Sequence, residues 1–258
     1  MAGRGTVCLM YHEIELPGRE LCDSDPGYAK YAVRLTNFRE QMQFLKNSGM
    51  PGINVSQMLS SPGNGVALTF DDGCETDLIT VTPMLKELGF NATFYITVGF
   101  LGKRGFMSKQ QARELAQSGM EIGCHSLTHP YLSDLDHAGL QREIVDAKKQ
   151  LEDITGVSVG HYSCPGGRWD ERVVSVATEA DYESVATSEI GLNTPEANRY
   201  SLSRIAVTRE VTFPQFQGLC SGSGLWSKGL KSRGLQIAKR MMGNSAYNRV
   251  RSVLLKGS

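Results

Sequence analysis

Between residues 7 and 208, short apolar segments of strand composition alternate with amphipathic helical segments, and turn-forming residues separate them. No other feature constrains the fold as tightly. Apolar strands that recur after a helix and two short loops pair in parallel, and the intervening helices must cover the sheet. Residues 7–12, 66–70, 92–98, 121–124, 160–163, 183–187 and 205–208 read as strands. A helix starts at Thr36 or Asn37, carries Phe38, Met42 and Leu45 on one face, and stops at Gly49. Further helices are expected over 77–88, from a Ser108 cap to Gln117, over 137–154 and over 170–180. Residues 15–33 are polar and irregular. In a β/α barrel the strand ends share one face, so groups far apart in sequence can converge there.

Two such strand ends carry chemistry. Asp71-Asp72-Gly73 closes the strand at 66–70, and His125 and His129, spaced i, i+4, follow the strand at 121–124. Alone, an Asp pair before Gly is often a turn, and two histidines at this spacing are often an exposed helical pair. Pro130 disfavours a regular helix at His129. Together the motifs offer one carboxylate and two imidazoles to a divalent metal and leave a second carboxylate free. Metal-dependent hydrolysis needs that surplus, because three protein ligands leave room for water and a base can take its proton.

Charge limits the partners. The chain has 27 Lys/Arg and 27 Asp/Glu, which argues against a general nucleic-acid binder. Residues 226–258 nevertheless hold eight Lys/Arg and no Asp/Glu, interleaved with Leu, Ile, Met and Val. Two short basic amphipathic helices are expected there, docked on the barrel or touching an anionic membrane. The six cysteines show no CxxC spacing and read as reduced thiols. The N-terminal residues lack the features of a secretory signal, and no apolar run is long enough to span a membrane. The expectation is a soluble cytoplasmic enzyme, or one peripheral to the inner face of the membrane.

Thr69-Phe70-Asp71-Asp72-Gly73 and His125-Ser126-Leu127-Thr128-His129 resemble the first two motifs of NodB-type polysaccharide deacetylases, carbohydrate esterase family 4. The resemblance implies an α/β fold, a distorted (β/α) barrel, which is placed over residues 1–215; the charge pattern adds a basic helical extension over 216–258. It implies Asp71 as catalytic base and Asp72, His125 and His129 as ligands of a divalent metal, zinc first and cobalt, nickel or manganese as alternatives. The substrate implied is an N-acetylated sugar.

Two departures from the family pattern matter. The third motif matches His161–Arg168 but lacks its leading Arg, which would orient the base; Arg168 is the candidate substitute. A tight strand-to-helix turn also suits Pro165-Gly166-Gly167. No histidine follows His161 to supply the family's late acid. Met10-Tyr11-His12, at the end of the first strand, instead resembles circularly permuted exopolysaccharide deacetylases and nominates His12 as general acid. Tyr11, Pro165, Gly166, Arg168 and Trp169 are expected to bind substrate, the third motif through a backbone N–H. His137 and His161 read as surface or structural residues. The resulting reading is a carbohydrate N-deacetylase of cell-surface glycan synthesis, with a lipid-linked sugar as one candidate substrate. A glycan-binding protein that has lost activity, or a deformylase of a lipid-linked amino sugar, is the alternative.

Overall fold

In the computed structural model, which describes residues 5–222, the expected strands lie side by side and all pair in parallel. In chain order they are β1 (Cys8–Tyr11), β2 (Ile14–Glu15), β3 (Val33–Arg34), β4 (Gly52–Ile53) and β5 (Val66–Asp72), then β6 (Thr93–Ile96), β7 (Glu121–Cys124), β8 (His161–Ser163), β9 (Ser184–Ala186) and β10 (Ile205–Ala206). The main sheet runs β10-β1-β5-β6-β7-β8-β9, with β4 added against β5; β2 and β3 form a separate pair. Beyond β9 the chain bridges Ala186 through Leu202, and β10 pairs with β1, so the sheet curls back on itself. This is the expected distorted (β/α) barrel.

Strand alternation divides the core in two. Leu9, Tyr11, Leu68, Phe70, Phe94 and Ile122 face outward into the helical layer, where the helix Leu35–Asn47 buries Phe38, Met42 and Leu45. Cys8, Ala67, Tyr95, Ala186 and Leu202 face inward, and Val55 and Met58 close the barrel from below. Polar contacts lock that floor. Val55 N donates to Glu121 Oε2 at 3.0 Å, and His161 Nε2 lies 2.8 Å from Ser56 Oγ. His161 is therefore a buried structural residue.

Several elements differ from expectation. The segment 15–33 holds β2, the one-turn helix Pro26–Ala29 and β3 rather than irregular chain throughout. Strand β4 and the helices Val55–Ser60 and Phe213–Cys220 are additional. The helices that follow β5 and β7 each contain a wider π turn, at Asp77–Val81 and Arg142–Asp146. The helix Phe213–Cys220 spans the expected boundary at 215/216 and rests on Phe44 through Phe213 and Phe216, at ring separations of 5.7 and 6.2 Å. The basic segment 226–258 lies outside the described residues. Within them no helix is long and apolar enough to cross a membrane.

Candidate active site

Adjacent residues on a strand point to opposite faces, so Asp71 and Asp72 could not serve one site on a regular strand. Asp71 follows Ala67 and Thr69 on the inward face. Asp72, the last residue of β5, has φ 82°, a left-handed conformation that ends the pleat and re-aims its side chain. Ser126 and His129 also have positive φ, 70° and 68°, in the loop after β7. Among the described residues only one other non-glycine, Asp181, shares this conformation. The strain thus concentrates in the two motifs, where surrounding contacts must hold it.

Those contacts are specific. Ser126 Oγ accepts from His129 N at 2.8 Å, and Thr97 Oγ1 donates to His125 O at 3.0 Å. Buried Glu143, within the π turn, accepts from Leu127 N at 2.9 Å and Thr128 N at 2.8 Å, and from Thr128 Oγ1 at 2.7 Å. Gly99 lets the chain after β6 close on this loop, since a Cβ there would meet Leu127 O at 2.5 Å.

The loop places three donors together. Asp72 Oδ1 lies 3.6 Å from His125 Nε2 and 3.5 Å from His129 Nε2. These are too long for hydrogen bonds. They match the edge of a tetrahedron, about 3.4 Å for ligands about 2.1 Å from a central ion. Asp72 Oδ1 is buried without a hydrogen-bond partner, so a lone pair is free to coordinate a cation. His125 Nδ1 faces Ser163 O at 2.8 Å, which fixes the ring and leaves Nε2 able to ligate. Burial pushes His125 down to about 3 and lowers His129 as well, so both imidazoles are neutral and able to ligate. Burial, with Asp71 beside it, pushes Asp72 up to about 6. The donor set fits a divalent metal.

Asp71 stands beside this trio, its Oδ2 3.8 Å from His125 Nε2. Sequence reasoning missed its partner. Arg204, just before β10, donates from Nη1 to Asp71 Oδ1 at 2.7 Å and from Nη2 to Oδ2 at 2.9 Å. It is itself held by Thr187 O at 3.0 Å and Ser163 Oγ at 2.7 Å. Burial alone would raise Asp71, but Arg204 and then His125 hold its carboxyl well below the usual range. Arg168 does not play this part. Its guanidinium stacks on Tyr131, 3.8 Å from the ring centre, and lies 3.9 Å from Asp134 Oδ2.

The other expected site residues divide. His12, at the end of β1, lies close enough for its charge to bear on Asp72 and Asp71, and its Nδ1 is buried without a hydrogen-bond partner. Its ring rests on Tyr31, 4.8 Å between centroids. Pro165 and Gly166 form a turn after β8, with Gly166 exposed beside Tyr131; a Cβ at Gly166 would meet that ring at 2.7 Å. Trp169 packs partly buried against the outer core. Tyr11 is a correction: it is fully buried in the helical layer, stacked on Phe70, with its hydroxyl on Gln41 Oε1 at 2.9 Å. Odd positions of β1 face outward, so Tyr11 cannot line the site.

Comparison with known proteins agrees with this geometry. Residues 60–185 match the family model for polysaccharide deacetylase. The chain is 28% identical to Bacillus subtilis YxkH over 207 residues, 78% of this chain and 70% of that protein. It is 34% identical to a peptidoglycan-N-acetylglucosamine deacetylase of Bacillus cereus over 125 residues, and spans 48% of this chain but only 56% of that enzyme. Among solved structures, the Streptococcus pyogenes deacetylase PplD in complex with acetate superposes with a TM-score of 0.73 at 23% identity, covering 84% of this chain and 99% of that one.

Proposed function

Residues 60–185 are a polysaccharide deacetylase domain, and on that premise we propose that this chain hydrolyses the N-acetyl group of an N-acetylated sugar with the help of a divalent cation. One observation carries the reading: a carboxylate held ionised by a buried guanidinium stands beside a Asp-His-His trio spaced for an ion. Asp72, His125 and His129 would hold the cation. When bound, zinc or a similar metal supplies Lewis acidity to the amide carbonyl and to water.

The chain's own groups do the rest. Asp71 accepts the proton of the attacking water; a positioned base of this kind contributes about 10²–10⁴-fold. Arg204 keeps Asp71 ionised and fixes its plane. His12 delivers a proton to the departing amine from the neighbouring strand. Activity then requires Asp71 ionised and His12 protonated at once. Strand β8, whose Ser163 O faces His125 Nδ1, leads into the turn at Pro165–Gly167, where Gly166 lies beside Tyr131; that ring, stacked with Arg168, suits the flat face of a sugar ring. The guanidinium missing from the third motif is supplied by Arg204, which favours an active enzyme over a binding protein that has lost its site.

Metal-loaded protein should release acetate from N-acetylglucosamine presented as an oligomer, a lipid-linked sugar or a nucleotide-linked sugar, and the preferred form identifies the substrate. Asp71→Asn should lower that release by about 10²–10⁴-fold while leaving metal content unchanged. No release by wild type from any of the three would sink the proposal.

A further inference from the structure

A second group of donors lies near this centre and takes no part in amide hydrolysis. Glu13 follows β1, Cys22 sits in the chain between β2 and β3, and Cys74 comes two residues after Asp72. One carboxylate oxygen and the two Sγ atoms all lie within 4.8 Å of one another. Glu13 and Cys74 are buried and Cys22 is half-buried. Each is anchored. Cys22 N donates to Glu13 Oε2 at 2.9 Å, the Cys22 thiol donates to Gly105 O at 3.0 Å, a bond it gives up on becoming a ligand, and Tyr28 OH lies 3.3 Å from Cys74 Sγ.

An independent observation comes from Asp77, at the start of the π turn. It is fully buried, and neither carboxylate oxygen has a hydrogen-bond partner. Its backbone N–H donates to Cys74 O at 3.1 Å, which places it beside the same cluster. Thr76 Oγ1 next to it is also buried and unpartnered. A buried carboxyl group with both oxygens orphaned is costly whatever its charge, and a cation bound beside it would offset part of that cost. No Lys or Arg is hydrogen-bonded or ion-paired to Asp77 or Glu13 among the contacts of the described residues.

We propose that Glu13, Cys22 and Cys74 form a second cation site, for a thiophilic divalent metal of the zinc class, whose charge Asp77 balances. Two sulfurs and a carboxylate oxygen select zinc, cobalt or cadmium over magnesium or calcium. As ligands the two cysteines are thiolates, and their protons pass to solvent on binding. The ion would tie the chain near Cys22 to the turn that leaves Asp72, and so brace the strained end of β5. The site stands whether or not the chain hydrolyses acetyl groups.

Cobalt separates the two sites by spectrum. The full chain, reduced and stripped with chelator, is titrated with Co²⁺ without oxygen. Two equivalents are expected, one giving an intense near-ultraviolet thiolate-to-cobalt band that Asp72, His125 and His129, lacking sulfur, cannot give. Cys22→Ser and Cys74→Ser should each abolish the band and remove one equivalent, whereas His125→Ala should keep the band. Asp77→Asn should weaken the thiolate site by roughly tenfold or more. In wild type, zinc should also protect the half-buried Cys22 from alkylation, read by peptide mass, which serves if the serine variants fail to fold. A single equivalent without the band, a band that survives in Cys22→Ser/Cys74→Ser, or alkylation that zinc does not slow would overturn the site. Lost acetate release with the band intact would bear on the hydrolytic reading alone.

Discussion

Asp71 and Arg204 are 133 positions apart in the chain and nearly solvent-free in the fold, with side-chain exposures of 3% and 1%. Such a pair is held by mutual compensation, and removing one member strands the other. Arg204→Met should cost about 3–5 kcal/mol of stability, measured by urea unfolding. It should also change the pH profile in a defined direction. The base must be ionised to act, and Arg204 is what keeps its pKa below the ordinary range. Without the guanidinium, burial dominates and the pKa rises, so the acid limb of kcat/KM moves to higher pH. An unmoved limb would mean that Asp71 does not set it. The motifs made Asp71, Asp72, His125 and His129 legible because each set is local in sequence. Arg204 was not legible as a partner, since it lies far along the chain from the third motif, where Arg168 is the guanidinium at hand. A signal did exist. Ile205 pairs with Leu9 and faces the helices, so alternation turns Arg204 into the barrel, where a cation must find an anion.

The long helix at 137–154 was legible from its periodicity, but the π turn within it was not, because one widened turn leaves the apolar stripe almost intact. Yet that turn presents Glu143 to the loop carrying His129. Two backbone N–H groups and a hydroxyl converge on one carboxylate, so its charge is a positioning device for the ligand loop. Glu143→Gln replaces one acceptor oxygen with an N–H donor and must break part of this set. Cation affinity at the Asp72 site should fall by about 10–100-fold, in line with other supports of metal ligands. Metal titration measures it, and Glu143→Asp should recover part of the loss if the carboxylate charge is what matters. Equal affinity in Glu143→Gln would leave the loop to Ser126 and Thr97. The missed helices teach a related lesson. Val55–Ser60 and Phe213–Cys220 are short, but each opens on a capping box, Asn54 with Gln57 and Thr212 with Gln215. The helix that Ser108 caps opens on the same signal, with Gln111, and a longer apolar pattern follows it there.

Across the whole molecule, the alternation of strands and helices was enough to forecast a parallel barrel, since both faces of each strand are apolar and only enclosed sheets tolerate that. What alternation cannot forecast is that one end of the barrel gathers Glu13, Asp71, Asp72 and Asp77, all buried. Arg204 answers one of these charges, and neutral imidazoles answer none. The fold therefore carries an electrostatic debt that a cation at Asp72 would relieve, and the debt has a pH dependence of known sign. Without metal, Asp72 has a folded pKa near 6 against an ordinary 3.8. Its protonated form favours the fold at low pH, and that contribution is lost as pH rises through about 6. With metal the order reverses: the ion must displace a proton below about 6, so affinity falls roughly tenfold per pH unit there and is constant above. At a free ion concentration about 100 times Kd, binding adds about 2.7 kcal/mol to stability. Melting curves with zinc and with chelator should therefore separate widely at pH 7.5 and converge toward pH 5, with Cys22→Ser/Cys74→Ser used to isolate the Asp72 site. Curves that stay equally far apart across that range would show that Asp72 is not the group whose proton the ion replaces.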